Sequence, residues 1–67
     1  MNIGINIKNR RLAAGMSQKA LAEAAGISQP FVFDIERENR SPSEDTAQRI
    51  AAALNCTVDD LLREESA

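Results

Sequence analysis

The side chains able to make or break bonds are few. The 67 residues include no histidine and a single cysteine, Cys56, which excludes the ordinary Cys/His zinc sites and an internal disulfide. No nucleophile has a base in a spacing that would activate it, and no glycine-rich phosphate loop occurs. The carboxylates Glu44, Asp45 and Asp60 fall at the starts of expected helices, where capping and the helix dipole account for them. The chain is therefore read as non-enzymatic, with no cofactor, no metal and no small-molecule ligand implied. Cys56, beside a helix cap, reads as a small buried filler. What remains are carboxamides, guanidinium groups and two phenyl rings between Gln18 and Arg40, a set suited to non-covalent recognition.

Length and charge limit the rest. Residues 1–67 are expected to form one domain with one small core. Apolar residues make up 43% of the chain but aromatic residues only 3%, so Ala, Ile, Leu and Val must build that core. Small side chains let helices approach closely, which suits a helical bundle better than a sandwich or barrel. No apolar run approaches the length of a bilayer span, and no basic segment followed by an apolar stretch reads as a signal peptide, so a cytoplasmic location is expected. The net charge of −2 argues against a phosphate-binding surface, but its distribution softens that objection. Residues 1–43 carry a net +2 and residues 44–67 a net −4, so a basic end can face DNA while an acidic end faces solvent.

Helix signals recur along the chain and no strand pattern competes with them. A first helix from Ile3 to Ala14 carries Ile3, Ile7 and the stem of Arg10 on one face, and Gly15 ends it. Ser17 is the expected N-cap of a second helix, Gln18 to Ala25, with Leu21, Ala22 and Ala25 at helical spacing. Gly26 stops that helix, and Ser28 caps a third with Pro30 in its first turn, where a missing N–H is harmless. Val32 and Ile35 form its inner face. Pro42 discourages continuation through the polar stretch that follows. Ser43 caps a fourth helix on which Ala47, Ile50, Ala51 and Leu54 repeat at helical intervals. Thr57 and Asp60 form a capping box for a short fifth helix, with Val58, Leu61 and Leu62 pointing inward. The tail, residues 63–67, is expected to fray.

The second and third helices meet through a turn of three residues, Gly26 to Ser28, and each position meets a demand. Ala22 permits close crossing, Gly26 suits a positive φ, and Ile27 can plug the corner. Gln29, Pro30, Phe33, Asp34 and Arg37 are then left on the outer face of the third helix. A helix held proud of the surface in this way fits the major groove of B-DNA.

The run Ser17-Gln18-x-x-Leu21-Ala22-x-x-Ala25-Gly26-Ile27-Ser28-Gln29, followed by Val32, Ile35 and Glu36, resembles the Cro/C1-type (XRE) helix-turn-helix family of phage repressors and small bacterial regulators. Arg11, Gly15, Pro42-Ser43 and the stretch Asn55 to Leu62 extend the likeness over nearly the whole chain. The resemblance implies an all-α, lambda-repressor-like DNA-binding fold of about five short helices, with the helix-turn-helix at residues 17–37. It also implies roles. Gln29, Pro30, Phe33 and Asp34 would read bases, and a carboxamide such as that of Gln29 can pair with adenine N6 and N7. Gln18, Lys19, Arg37 and Arg40 would contact the DNA backbone, with Gln18 also bracing Gln29. Arg11 and Glu36 would form a partly buried ion pair tying the first helix to the third.

The chain departs from the family at two places. Relatives commonly carry Gly just after the recognition helix, where this chain has Glu38, so Asn39 is expected to take the left-handed turn. Relatives usually carry a polar residue where this chain has Phe33; a ring there can pack on a thymine methyl or meet another protein. The reading is thus of a sequence-specific transcriptional regulator, a repressor, binding an inverted-repeat operator in double-stranded DNA as a homodimer through the region of Leu54, Val58 and Leu62. The alternative is an antitoxin-like or regulatory module that docks a protein through Phe31 and Phe33.

Overall fold

The computed structural model describes residues 3–63. Among them lie the helices α1 (Ile3–Ala13), α2 (Gln18–Ala25), α3 (Gln29–Glu36), α4 (Glu44–Ala53) and α5 (Val58–Leu62). Every regular element among the described residues is an α-helix, as expected. Of the tail expected to fray, Arg63 is bonded to Asn6 through its carbonyl at 2.8 Å, and residues 64–67 lie outside the described residues.

Each helix from α2 to α5 starts on a hydroxyl that closes its own first turn. The side-chain oxygens of Ser17, Ser28 and Ser43 accept from the N–H groups of Ala20, Phe31 and Thr46 at 3.0, 3.2 and 3.2 Å. Thr57 accepts from Asp60 N–H at 3.1 Å while its own N–H donates to the Asp60 carboxylate at 3.0 Å, a complete capping box. Each such cap is worth about 1 kcal/mol.

The helix ends obey one rule as well. After α1, α2, α3 and α4, the first residue in left-handed conformation is Gly15, Gly26, Glu38 and Asn55, with φ of 72°, 71°, 63° and 59°. At each stop, the N–H of the following residue bonds a carbonyl five residues back, as in Asn39 to Asp34 at 2.9 Å and Ile27 to Ala22 at 2.9 Å. This is the Schellman arrangement, in which the left-handed position is set by its distance from the last helical turn. Glu38 therefore takes the turn expected of Asn39. Asparagine is the more comfortable residue in that conformation, but Asn39 stands one position too late.

Ile7, Leu21, Val32, Ile35, Ile50 and Leu61 are the largest fully buried side chains. Burying each contributes about 1.5–3 kcal/mol. The small residues Ala22, Ala25 and Ala51 fill the space between them, and α2 packs on both α3 and α4 while α1 packs on α3 and α5. α1 approaches the end of α3 so closely that a Cβ on Gly4 would collide with the carbonyl oxygen of Ile35. Buried Asn6 donates to the carbonyls of Leu61 at 2.9 Å and Arg63 at 2.8 Å, tying the end of α5 to α1. On α5 itself only Leu61 faces fully inward; Val58 is half-buried and Leu62 is 42% exposed. Adjacent residues on a helix stand 100° apart, so once Leu61 occupies the core Leu62 cannot follow, contrary to expectation. No helix among the described residues is long and apolar enough to cross a membrane.

Candidate nucleic-acid interface

The packing of α2 on α3 decides which side chains reach solvent. Val32, Ile35 and Glu36 form the inner face of α3, whereas Gln29, Pro30, Phe33 and Arg37 are exposed and Asp34 is half-buried. Gly26 lets the chain turn between the two helices. A Cβ there would meet nothing nearer than the Arg49 Nη1 atom at 3.8 Å, so the preference for glycine comes from its φ and not from space.

A buried polar network holds the two helices in register beneath this face. Arg11 grips the Glu36 carboxylate with two hydrogen bonds, Nε to Oε2 at 2.6 Å and Nη2 to Oε1 at 3.0 Å. The two side chains are only 9% and 3% exposed. The third arm of the guanidinium, Nη1, donates to the Met16 carbonyl at 2.9 Å. Glu36 Oε1 also accepts from the Gln18 amide at 3.1 Å. Arg11 on α1, Gln18 at the start of α2 and Glu36 at the end of α3 thus share one carboxylate. The Gln18 amide nitrogen is thus engaged by the buried carboxylate, a stronger acceptor than a neutral carboxamide.

Gln18 and Gln29 nevertheless come together. With Pro30 and Phe33 they line an open hollow of about 340 Å³ between the starts of α2 and α3. Lys19 is exposed on the first turn of α2, where the backbone N–H groups of Gln18 and Lys19 have no acceptor within the helix. Such a helix start favours an anion. Asp34 stands at the margin, and Glu38 and Arg40 are exposed in the turn after α3.

Two contacts escaped the sequence reading. The Arg37 guanidinium lies over the Phe33 ring, 5.1 Å from its centre, and that of Arg40 lies over Phe31 at 4.9 Å. The first pair is legible in hindsight from its spacing of four residues along one helix. The second crosses the turn and has no local signal. Each arrangement lets a cation rest on a ring and keep an exposed edge for an anion. Phe31 is half-buried at the edge of the core, so a protein partner docking here would meet Phe33, 43% exposed, largely on its own. At the other end of the molecule Leu54 is a core residue, 8% exposed, and cannot itself form an interface. Cys56 is also half-buried against the core, and burial raises its thiol pKa above the ordinary value while Arg10 pulls it the other way.

Two short helices crossing at a glycine turn, the second with Gln29, Pro30, Phe33 and Arg37 exposed on its outer face, define a helix-turn-helix domain. The helix-turn-helix family matches residues 7–61, and the chain belongs to its Cro/C1-type (XRE) members. An immunity repressor protein of Bacillus phage phi105 is 36% identical over 66 residues, which cover 98% of this chain and 46% of the relative. The structure of the restriction-modification controller protein C.AhdI from Aeromonas hydrophila superimposes with a TM-score of 0.89 at 30% identity, covering 91% of this chain and 92% of that one. The P22 c2 repressor, solved in complex with the synthetic operator 9T, superimposes with a TM-score of 0.87 at 28% identity, covering 94% of this chain and 96% of that one. The chain spans less than half the length of the first curated relatives it matches.

Proposed function

We propose that this chain is a sequence-specific DNA-binding repressor that acts in the cytoplasm by inserting α3 into the major groove of an inverted-repeat operator. The observation that carries the reading is the open hollow formed by Gln18, Gln29, Pro30 and Phe33, held in place from below by the buried Arg11–Glu36–Gln18 network. Gln29, Pro30, Phe33 and Asp34 present the side chains that read base edges. Gln18, Lys19, Arg37 and Arg40 neutralise or bond phosphates, which positions the domain without specifying sequence. The similarity to the P22 c2 repressor, solved in complex with a synthetic operator, supports operator DNA as the ligand.

One such domain contacts too few base pairs to be selective, so two copies bind related half-sites about one helical turn apart. The homodimer contact lies at α5, where exposed Leu62 and half-buried Val58 are continuous, with Leu54 beneath as support. Selection of bound duplexes from a random DNA pool tests the proposal. Enriched sequences should contain two half-sites related by inversion, and their retention should fall steeply with salt as released counterions weaken binding. A pool that shows no enrichment after selection at low salt would leave Phe33 as a contact for a protein instead.

A further inference from the structure

Phe31 and Phe33 stand about 200° apart around α3, so they lean to opposite flanks of the helix with buried Val32 between them. Phe33 is on the flank that faces Gln18 across the hollow. Phe31 is on the far flank, half-buried and packed against the core, and Ser28 caps its backbone N–H at 3.2 Å. The ring is thus held at its backbone and along its inner edge. On its outer side lies the Arg40 guanidinium, 4.9 Å from the ring centre. Arg40 is exposed, in the turn after left-handed Glu38, where the Asn39 N–H ties the backbone to the Asp34 carbonyl at 2.9 Å. An arginine on such a turn samples many rotamers and loses that freedom when it meets an anion. A fixed ring under the guanidinium face removes part of the freedom beforehand and leaves the N–H edge outward to donate. A ring already covered by a cation is also a poor docking surface for a protein.

We infer that Phe31 is a positioning residue for DNA binding: its ring seats the Arg40 guanidinium ready for a backbone phosphate on the far flank of α3. This rests on the DNA reading proposed above and adds to it a residue that acts on DNA without touching it. A guanidinium resting on an exposed ring favours the seated state by a factor of about two to five, and that factor is the gain in affinity.

The first measurement needs only the free protein. The ring current of Phe31 should shift the Arg40 side-chain methylene protons upfield, Phe31→Leu should abolish the shift, and Phe31→Tyr should keep it. Unshifted Arg40 protons in the unmodified chain would overturn the seat. The second measurement uses the tightest duplex that the protein selects from a random pool, with single phosphates replaced in turn by uncharged methylphosphonates. Phe31→Leu should weaken binding to this duplex and to a scrambled one alike, about two- to fivefold, and Phe31→Tyr should restore it. Arg40→Gln should make binding indifferent to replacement of one phosphate in each half-site. Phe31→Leu should lessen the loss at that same phosphate and leave unchanged the losses at phosphates sensed by Lys19. Once Arg40 is glutamine, Phe31→Leu should cost nothing further. A merely structural role for Phe31 would survive in the Arg40→Gln background, so effects that add in the double variant overturn the positioning role and leave the DNA reading intact. If no duplex is selected, the DNA reading falls and this role falls with it, whatever the ring current shows. The ring-current measurement on the unmodified chain can overturn the inference even if Phe31→Leu folds poorly.

Discussion

Replacing Arg11 by methionine removes one half of a buried charge pair and leaves the other half in place. Glu36, with its side chain 3% exposed, would lose bonds of 2.6 and 3.0 Å and keep only the neutral Gln18 amide at 3.1 Å. Stranding a buried charge in this way costs about 3–5 kcal/mol. The retained amide bond places the expectation at the lower end, about 3 kcal/mol. A domain of this length is stable by only about 3–10 kcal/mol, so the loss is a large share of the whole. At about 4–8 °C per kcal/mol for a small domain, the melting temperature should drop by about 12–24 °C. Glu36→Leu strands Arg11, which keeps the Met16 carbonyl at 2.9 Å, and should cost slightly less. The double variant Arg11→Met/Glu36→Leu relieves both charges of their desolvation and fills the space with apolar atoms, so its loss should be smaller than that of either single change. Thermal and urea unfolding followed by circular dichroism would measure all three. Single changes that each shift stability by less than about 0.5 kcal/mol, or a double variant whose loss equals the sum of the singles, would refute the reasoning.

Gly4→Ala should destabilise by about 3 kcal/mol, since its Cβ would strike the backbone oxygen of Ile35 and backbone cannot step aside; Gly15→Ala, with open space but φ of 72°, should cost only about 1 kcal/mol by the same unfolding measurement. Glu38→Gly should stabilise by about 0.5–1 kcal/mol, because relief of the left-handed strain exceeds the entropy that glycine adds to the unfolded chain, and removing its charge should tighten binding to any duplex; an unchanged melting temperature would contradict this. Hydrogen bonds from the Thr57 backbone and then its hydroxyl hold the Asp60 carboxyl below its usual range. A depressed carboxyl stabilises the fold above its unfolded pKa and stops doing so as pH falls through the folded one. The difference in melting temperature between the native chain and Asp60→Ala should therefore be constant near neutrality and shrink below about pH 4, and a difference that persists undiminished in strong acid would contradict the capping role.

The features legible in the chain were those whose partners are near in sequence. Ser17, Ser28, Ser43 and the Thr57–Asp60 box act within one helical turn, so residue type and position sufficed. Gly15 and Gly26 announced their turns because nothing else suits a positive φ so well. Glu38 and Asn55 did not, since their conformation follows from where the preceding helix stops and not from their own preference. Leu62 looked as apolar as Leu61, and only the orientation of a single-turn helix separates them. Gly4 and Asn6 act on Ile35, Leu61 and Arg63, partners that no local pattern points to. At the interface, the outer face of α3 followed from helical spacing, while the family resemblance supplied the partnership of Arg11 with Glu36. The bond of Gln18 to the Glu36 carboxylate had no signal in the sequence, because the two residues meet only in three dimensions.

The central claim is that α3 reads sequence, and Gln29→Ala tests it most directly. Affinities of this variant and of the unmodified chain should be measured on a selected operator duplex and on a scrambled one, across a salt series. Lys19→Ala serves as the comparison for a contact to phosphate alone. Loss of the Gln29 carboxamide should weaken operator binding by about 1–3 kcal/mol and leave the scrambled duplex almost unaffected. Loss of Lys19 should weaken both duplexes alike and flatten the dependence of log affinity on log salt by about one unit. If Gln29→Ala lowers affinity for operator and scrambled DNA equally, α3 lies against DNA without reading it, and sequence recognition by this helix is refuted.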